Sequence, residues 1–241
     1  MKVNLQAAAR QEMIDHGFDP DFPRGADRQI EAIRHRPLPG ADRDLRDLLW
    51  SSIDNDTSRD LDQIEWAERL RDGIRVRVGI ADVSASVEQH TPIDSHACSQ
   101  TTTVYTGIKN FSMLPEELST DLTSLNENED RAAVIIEYIV LEDGSIESPS
   151  IYRARVRNKA QLAYNAVGAW LESTGDAPEK VAASEELQAQ LKLQDEADRP
   201  RGRTRRPRRR RRRRWSPSRL PAPTAAGRRR RAGPGPAPRR R

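Results

Sequence analysis

Residues 51–65 read SSIDNDTSRDLDQIE and gather Asp54, Asp56, Asp60, Asp62 and Glu65 into one short stretch. Carboxylates this close repel one another, so such a group either surrounds a cation or lies loose in solvent. Two cation chemistries fit the spacing. Counted from Asp54, the stretch puts Asp54, Asp56, Ser58, Asp60, Asp62 and Glu65 at positions 1, 3, 5, 7, 9 and 12 of a calcium-binding EF-hand loop. That match breaks at position 6, where the sharp turn requires glycine and the chain has Arg59. In the other chemistry Asp54 ends a strand, and Asp60 and Asp62 share one face of the next extended segment. The three carboxylates then converge on Mg²⁺, a hard ion that can activate water for phosphodiester hydrolysis. A solvated acidic loop is the third reading of the same spacing.

The elements around the stretch must position it. LQAAARQEMIDHGF has helical spacing with Gly17 as a stop, and DRQIEAIRHRP is a second short helix ended by Pro37. IRVRVGIADVSASV is β-rich, and RAAVIIEYIVLEDGSIESPSIYRARV is two strands separated by Asp143-Gly144, a strong hairpin signal. YNAVGAWLES and ASEELQAQLKLQDEA return to helix. Strands and helices in separate runs favour an α+β fold over a regular parallel βαβ arrangement.

The chain has 241 residues, enough to bury a sizeable core. Its charge is divided along its length: Arg199 to Arg241 holds 20 Arg and no Lys, Asp or Glu, and without them the formal net charge goes from +4 to −16. No apolar run is long enough to span a bilayer and the N-terminus lacks an apolar signal region, so a cytoplasmic location is expected. Cys98 is the only cysteine, which excludes an intrachain disulfide and a cysteine-rich zinc site. It is expected as a small buried hydrophobe. His16, His35, His90 and His96 show no ligand or triad spacing.

Several separate motifs then occur in order: RDLRDLLWSSIDNDTSRDLDQIE, VGIADVSASV, TTTVYTG, SMLPEELSTDLTSLNENEDRAAVIIEYIVLEDGSI and KAQLAY. Together they resemble the catalytic domain of the ribonuclease II (RNB) family of exoribonucleases, in register from about Arg43 to Tyr164 and more weakly to Ala197. The resemblance implies an α+β domain of mainly antiparallel sheet with flanking helices. It also implies Mg²⁺-dependent, hydrolytic 3′-to-5′ degradation of single-stranded RNA, with Mn²⁺ as a possible substitute. The family's active site is a cluster of four aspartates. Asp54, Asp60 and Asp62 stand at the first three positions, and Gln63 stands at the fourth. An amide oxygen can ligate a metal but brings no charge, so a second ion is expected to bind more weakly. Asp56 and Glu65 match no catalytic position of the family. Tyr105 stands where the family stacks an aromatic ring on a base near the RNA 3′ end, a contact that tolerates any sequence. Met113 to Leu118 are expected to shape the wall near the site, and Asp82 to be structural.

Family members also carry a second half of the catalytic domain, and many add an OB-fold, whereas this chain turns at about Asp198 into an Arg/Pro/Ala/Gly-rich tail. The expected organisation is a helical segment over 1–40, a partial RNB catalytic domain over 41–198 and a disordered arginine-rich tail over 199–241. The tail reads either as an arm that neutralises RNA phosphates or as the product of a frameshift in high-GC DNA. The frameshift is preferred, because the body uses both Lys and Arg and the tail uses no Lys. The expectation is therefore a ribonuclease of impaired activity, with single-stranded RNA as partner and no membrane or obligate protein partner. A non-catalytic RNA-binding protein acting through the tail is the alternative, and an EF-hand-like calcium binder stands third.

Overall fold

The computed structural model describes residues 4–38 and 40–199. From residue 200 on, the arginine-rich tail lies outside the described residues. The strands are β1 (Arg43–Asp44), β2 (Trp50–Asp54), β3 (Gln63–Leu70), β4 (Gly73–Ala81), β5 (Val104–Tyr105), β6 (Asn110–Phe111), β7 (Asp130–Leu141) and β8 (Ile146–Ala163). The helices are α1 (Leu5–Asp15), α2 (Ala26–Arg34), α3 (Pro92–Gln100), α4 (Tyr164–Leu171), α5 (Glu179–Ala182) and α6 (Glu185–Asp198). This is the α+β class expected, with a mainly antiparallel sheet.

The main sheet runs β1-β8-β2-β3-β4-β7, and β7 pairs again with β8, so the pairings form a closed circuit. The length of β8 makes that closure possible. Its residues Ile146 to Arg157 pair antiparallel with β7, and Asn158 to Ala163 pair parallel with β2. Along β8 the buried residues alternate as Ala154, Val156, Asn158, Ala160 and Leu162, with Arg153, Arg155, Arg157 and Lys159 on the other face. Trp50, Leu61, Ile64, Leu125, Ala133, Ile135, Ala154 and Val156 make the largest core cluster. The Trp50 indole N–H, buried with its ring, donates to Leu45 O at 2.8 Å.

Two tight turns set the antiparallel registers. At the β7–β8 turn Gly144 takes φ +84°, which favours glycine, and Asp143 Oδ1 accepts from Ser145 N at 2.9 Å. Between β3 and β4 the turn is Arg71-Asp72, with Leu70 opposite Gly73. A side chain on Gly73 would place its Cβ 2.5 Å from Val140 O, so glycine there permits close approach of β7.

Helices cover what the sheet leaves open. β2 pairs with β3 only at Ser51 and Glu65, and α6 takes over the free edge beyond. The Gln190 side chain accepts from Ala67 N at 3.0 Å and donates to Ala67 O at 2.8 Å, and Gln194 Nε2 donates to Glu65 O at 3.3 Å. These side-chain amides satisfy backbone groups that an exposed edge would present to another chain. Ala26, Ile30 and Ile33 of α2 share a separate core with Val87, Ile93 and Leu118. Asp82 is buried, as a structural residue should be: its Oδ1 accepts from Ala85 N and Ser84 Oγ, and Arg153 Nε stands 2.8 Å from Oδ2.

One expectation is corrected here. Cys98 is exposed, because α3 turns Ile93, His96 and Gln100 inward and leaves Cys98 on its outer face. His96 is a core residue, and burial holds its imidazole below the usual pKa against a smaller opposite pull from Asp19. Among the described residues no helix is long and apolar enough to cross a membrane.

Candidate active site

The end of β2 carries Asp54, opposite Ala163 of β8. Its Oδ1 accepts from Asn55 N at 2.7 Å and from Ser58 Oγ at 2.9 Å, which fixes the carboxylate as the chain leaves the strand. The loop that follows is anchored at Leu61, whose side chain is buried in the main core. Leu61 N donates to Ser124 Oγ at 2.9 Å, and Leu61 O accepts from Leu125 N at 2.9 Å. Ser124 Oγ also lies 3.0 Å from Arg59 O and 3.0 Å from Asn126 Oδ1. Ala81 N donates to Asp62 O at 2.9 Å, extending the β3–β4 ladder by one residue.

With Leu61 held inside, its neighbours Asp60 and Asp62 turn outward together, as alternation in an extended chain requires. Both line a cavity of about 520 Å³, with Tyr105 and Lys109 from the β5–β6 hairpin and Met113 and Leu114 beyond it. Loss of surrounding water raises the Asp62 carboxyl above its ordinary pKa, and the charges of Asp60 and Asp54 push it further. Tyr105 is 69% exposed, yet partial desolvation and then the charges of Asp60 and Asp62 raise its hydroxyl. The ring therefore stands beside the acids with an open face.

The remaining expected positions separate from this group. Asp54 lies outside the cavity lining, although its charge reaches Asp62. Gln63 opens β3, is exposed and does not line the cavity, since the extended backbone sends it opposite to Asp62. Asp56 is exposed. Glu65 lies against α6, where burial raises its carboxyl and Asp198 adds to the effect. Strands β2 and β3 flank the acidic loop in place of the two helices of an EF-hand. Among the described residues no group of three or more His, Cys, Asp or Glu side chains is gathered tightly enough to hold an ion as it stands. The donors nevertheless suit a hard divalent cation: they are carboxylate oxygens whose mutual repulsion an ion would relieve.

Two features of the site carry no motif of their own. The Ser124 clamp reads as an ordinary serine in DLTSLNENED. Lys109 had a signal, because it is the only Lys or Arg between Arg77 and Arg131.

A family model, the RNB domain, matches residues 42–214, and the chain belongs to the RNB family. Ribonuclease R of Vibrio parahaemolyticus is 37% identical over 204 residues, covering 81% of this chain and 24% of the relative. Exoribonuclease 2 of Salmonella arizonae is 35% identical over 164 residues, covering 66% of this chain and 24% of that protein. The chain thus spans about a quarter (24%) of the length of these curated relatives. Among solved structures, RNase R of Mycoplasma genitalium in complex with ribose-methylated single-stranded RNA superimposes with a TM-score of 0.63 at 27% identity, over 77% of this chain and 30% of that one. The same enzyme in complex with double-stranded RNA gives 0.62 at 27% identity, over 77% of this chain and 34% of that one.

Proposed function

We propose that the acid-lined cavity serves hydrolytic 3′-to-5′ degradation of single-stranded RNA, with Mg²⁺ held by Asp54, Asp60 and Asp62. The observation that carries this reading is that Asp60, Asp62 and the open ring of Tyr105 share one cavity within the family-matched residues. A bound Mg²⁺ would supply an activated water and charge stabilisation at the phosphate. The chain supplies the rest. Asp54 is preset by Asn55 N and Ser58 Oγ, and the Leu61 anchor aims Asp60 and Asp62 at the same space. Tyr105 offers a flat face on which a terminal base of any identity can stack. Gln63, at the fourth acidic position, is turned away from Asp62 and brings no charge, so a second ion binds more weakly.

The same cavity argues for slow turnover by the 241-residue chain on its own. Among the described residues its lining contains one cation, Lys109, and no Arg. Each electrostatic contact missing from a phosphoryl-transfer site costs on the order of a hundred- to a thousandfold in rate. The test uses end-labelled single-stranded RNA, Mg²⁺ and enzyme in excess. The expected result is slow shortening from the 3′ end by the wild type and none by Asp62→Asn. Internal cleavage, or shortening that Asp62→Asn leaves intact, would overturn the proposal.

A further inference from the structure

Among the described residues the cavity is lined by three acids, Asp60, Asp62 and Glu116, and by one cation, Lys109. Lys109 occupies the turn between β5 and β6, and that turn is built around Thr106. Thr106 Oγ1 accepts from Ile108 N at 3.3 Å and from Lys109 N at 3.0 Å, and its hydroxyl donates to Lys109 O. The lysine backbone is thereby held from both sides. Its Nζ lies 5.4 Å from the centroid of the Phe111 ring, and Phe111 is itself buried and paired with Val104. A cation over an aromatic face is attracted to it, so the head group has a preferred station without a carboxylate partner.

Among the described residues no acid forms an ion pair with Lys109, although Asp60, Asp62 and Glu116 line the same space. In a body of net charge −16, a lysine that faces three acids and pairs with none leaves its charge available to a ligand. The cavity has a volume of about 520 Å³, within the range of small-molecule sites. A ligand matching this lining needs a flat base for Tyr105 and an anion that can face Lys109 and a metal at once. A nucleotide phosphate has that chemistry.

We propose that Lys109 is the phosphate-holding residue of this cavity, positioning a nucleoside monophosphate unit whose base lies on Tyr105 and whose phosphate faces the acid-bound metal. The unit is either the 3′-terminal nucleotide of RNA or the released mononucleotide. This inference rests on the proposed metal at Asp54, Asp60 and Asp62. Lys109 is a positioning residue: it repels the ion slightly and attracts the phosphate.

Those opposite signs give the test. Mn²⁺ binding to the full chain is measured by enhanced water-proton relaxation. Adenosine 5′-monophosphate is then titrated and read by the ³¹P relaxation that protein-bound Mn²⁺ causes. That signal arises only from nucleotide beside the metal, so binding elsewhere on an arginine-rich chain does not enter. Lys109→Gln should bind Mn²⁺ a fewfold more tightly, on the order of threefold, because a nearby positive charge is gone. It should bind the nucleotide on the order of tenfold more weakly, because a charge-assisted contact is gone. Lys109→Arg should keep both near wild type. A merely structural role would weaken both together, and unchanged nucleotide affinity in Lys109→Gln would equally overturn the assignment. Failure of the metal reading is separate: wild type would not bind Mn²⁺, or Asp62→Asn would bind it as well.

Discussion

Ser124→Ala should both destabilise the fold and loosen the acidic loop, because one buried hydroxyl holds that loop at two points. Ser124 Oγ accepts from Leu61 N at 2.9 Å and lies 3.0 Å from both Arg59 O and Asn126 Oδ1, to one of which it donates. Ser124 is 2% exposed and Leu61 is 1% exposed, so no bulk water replaces the lost partner at the amide. A buried donor left unsatisfied costs about 1–3 kcal/mol, and loss of the donated bond at the wetter end adds about 0.5–1 kcal/mol. The sum is about 1.5–4 kcal/mol, which for a domain of this size lowers the melting temperature by about 3–16 °C. Urea unfolding of wild type and variant, monitored by tryptophan fluorescence, measures it. Ser119→Ala is the control, since Ser119 Oγ makes only a 3.4 Å bond to Glu116 O in an exposed setting, and its effect should stay within about 0.5 kcal/mol. Mn²⁺ affinity should fall severalfold in Ser124→Ala and not in Ser119→Ala. A stability loss below about 0.5 kcal/mol would show that the hydroxyl does not clamp the loop, and the account of how Asp60 and Asp62 are aimed would fail.

Tyr105→Ala should remove about 1–3 kcal/mol of base stacking at the RNA 3′ end, read as lost quenching of a 3′-terminal 2-aminopurine, while Tyr105→Phe retains it. Equal quenching in the alanine variant would refute the stacking role. Gly73→Ala should destabilise the β3–β4 turn by several kcal/mol or prevent folding, because its Cβ would stand 2.5 Å from Val140 O. A neutral result by thermal denaturation would contradict the close approach of β7. Glu137 supplies a pH test. Burial pushes its carboxyl up, but the bonds from Tyr152 and Arg77 and the charges of Arg77 and Arg75 together bring it below its ordinary value of 4.5. A folded-state pKa below the unfolded one means stability that is present above about 4.5 and is lost as pH falls through the folded value. The stability gap between wild type and Glu137→Gln should therefore be largest near neutral pH and shrink in acid. A gap that grows on acidification would reverse the sign of the linkage.

What could be read from the sequence follows the range of the interactions involved. Asp143-Gly144 announced its hairpin because the turn chemistry is local, and Pro37 announced the end of the α2 segment for the same reason. Asp54, Asp60 and Asp62 stand together in the sequence because a strand end and a short loop hold them all. β3 was harder to read: Gln63, Glu65, Glu68 and Arg69 leave it only Ile64 and Ala67 as buried residues, and its free edge is completed by glutamines from α6. Asp72-Gly73 looks like a hairpin turn, but the register makes Arg71-Asp72 the turn and spends Gly73 on the approach of β7. Closure of the strand circuit rests on Ser52 and Ile53 meeting Gln161 and Leu162, a pairing that no local pattern encodes. Two-residue strands have no periodicity to mark them, so the turn that holds Lys109 has no signature beyond the isolation of its charge.

The central claim is that Asp54, Asp60 and Asp62 form one metal site, and a crystal soaked in Mn²⁺ tests it most directly. An anomalous difference map should show a peak among the three carboxylates, with Asp54 drawn toward the cavity and oxygen ligands completing the shell, and no peak there in Asp62→Asn. Mn²⁺ bound only elsewhere, or a peak at the cavity that survives Asp62→Asn unchanged, would contradict the account.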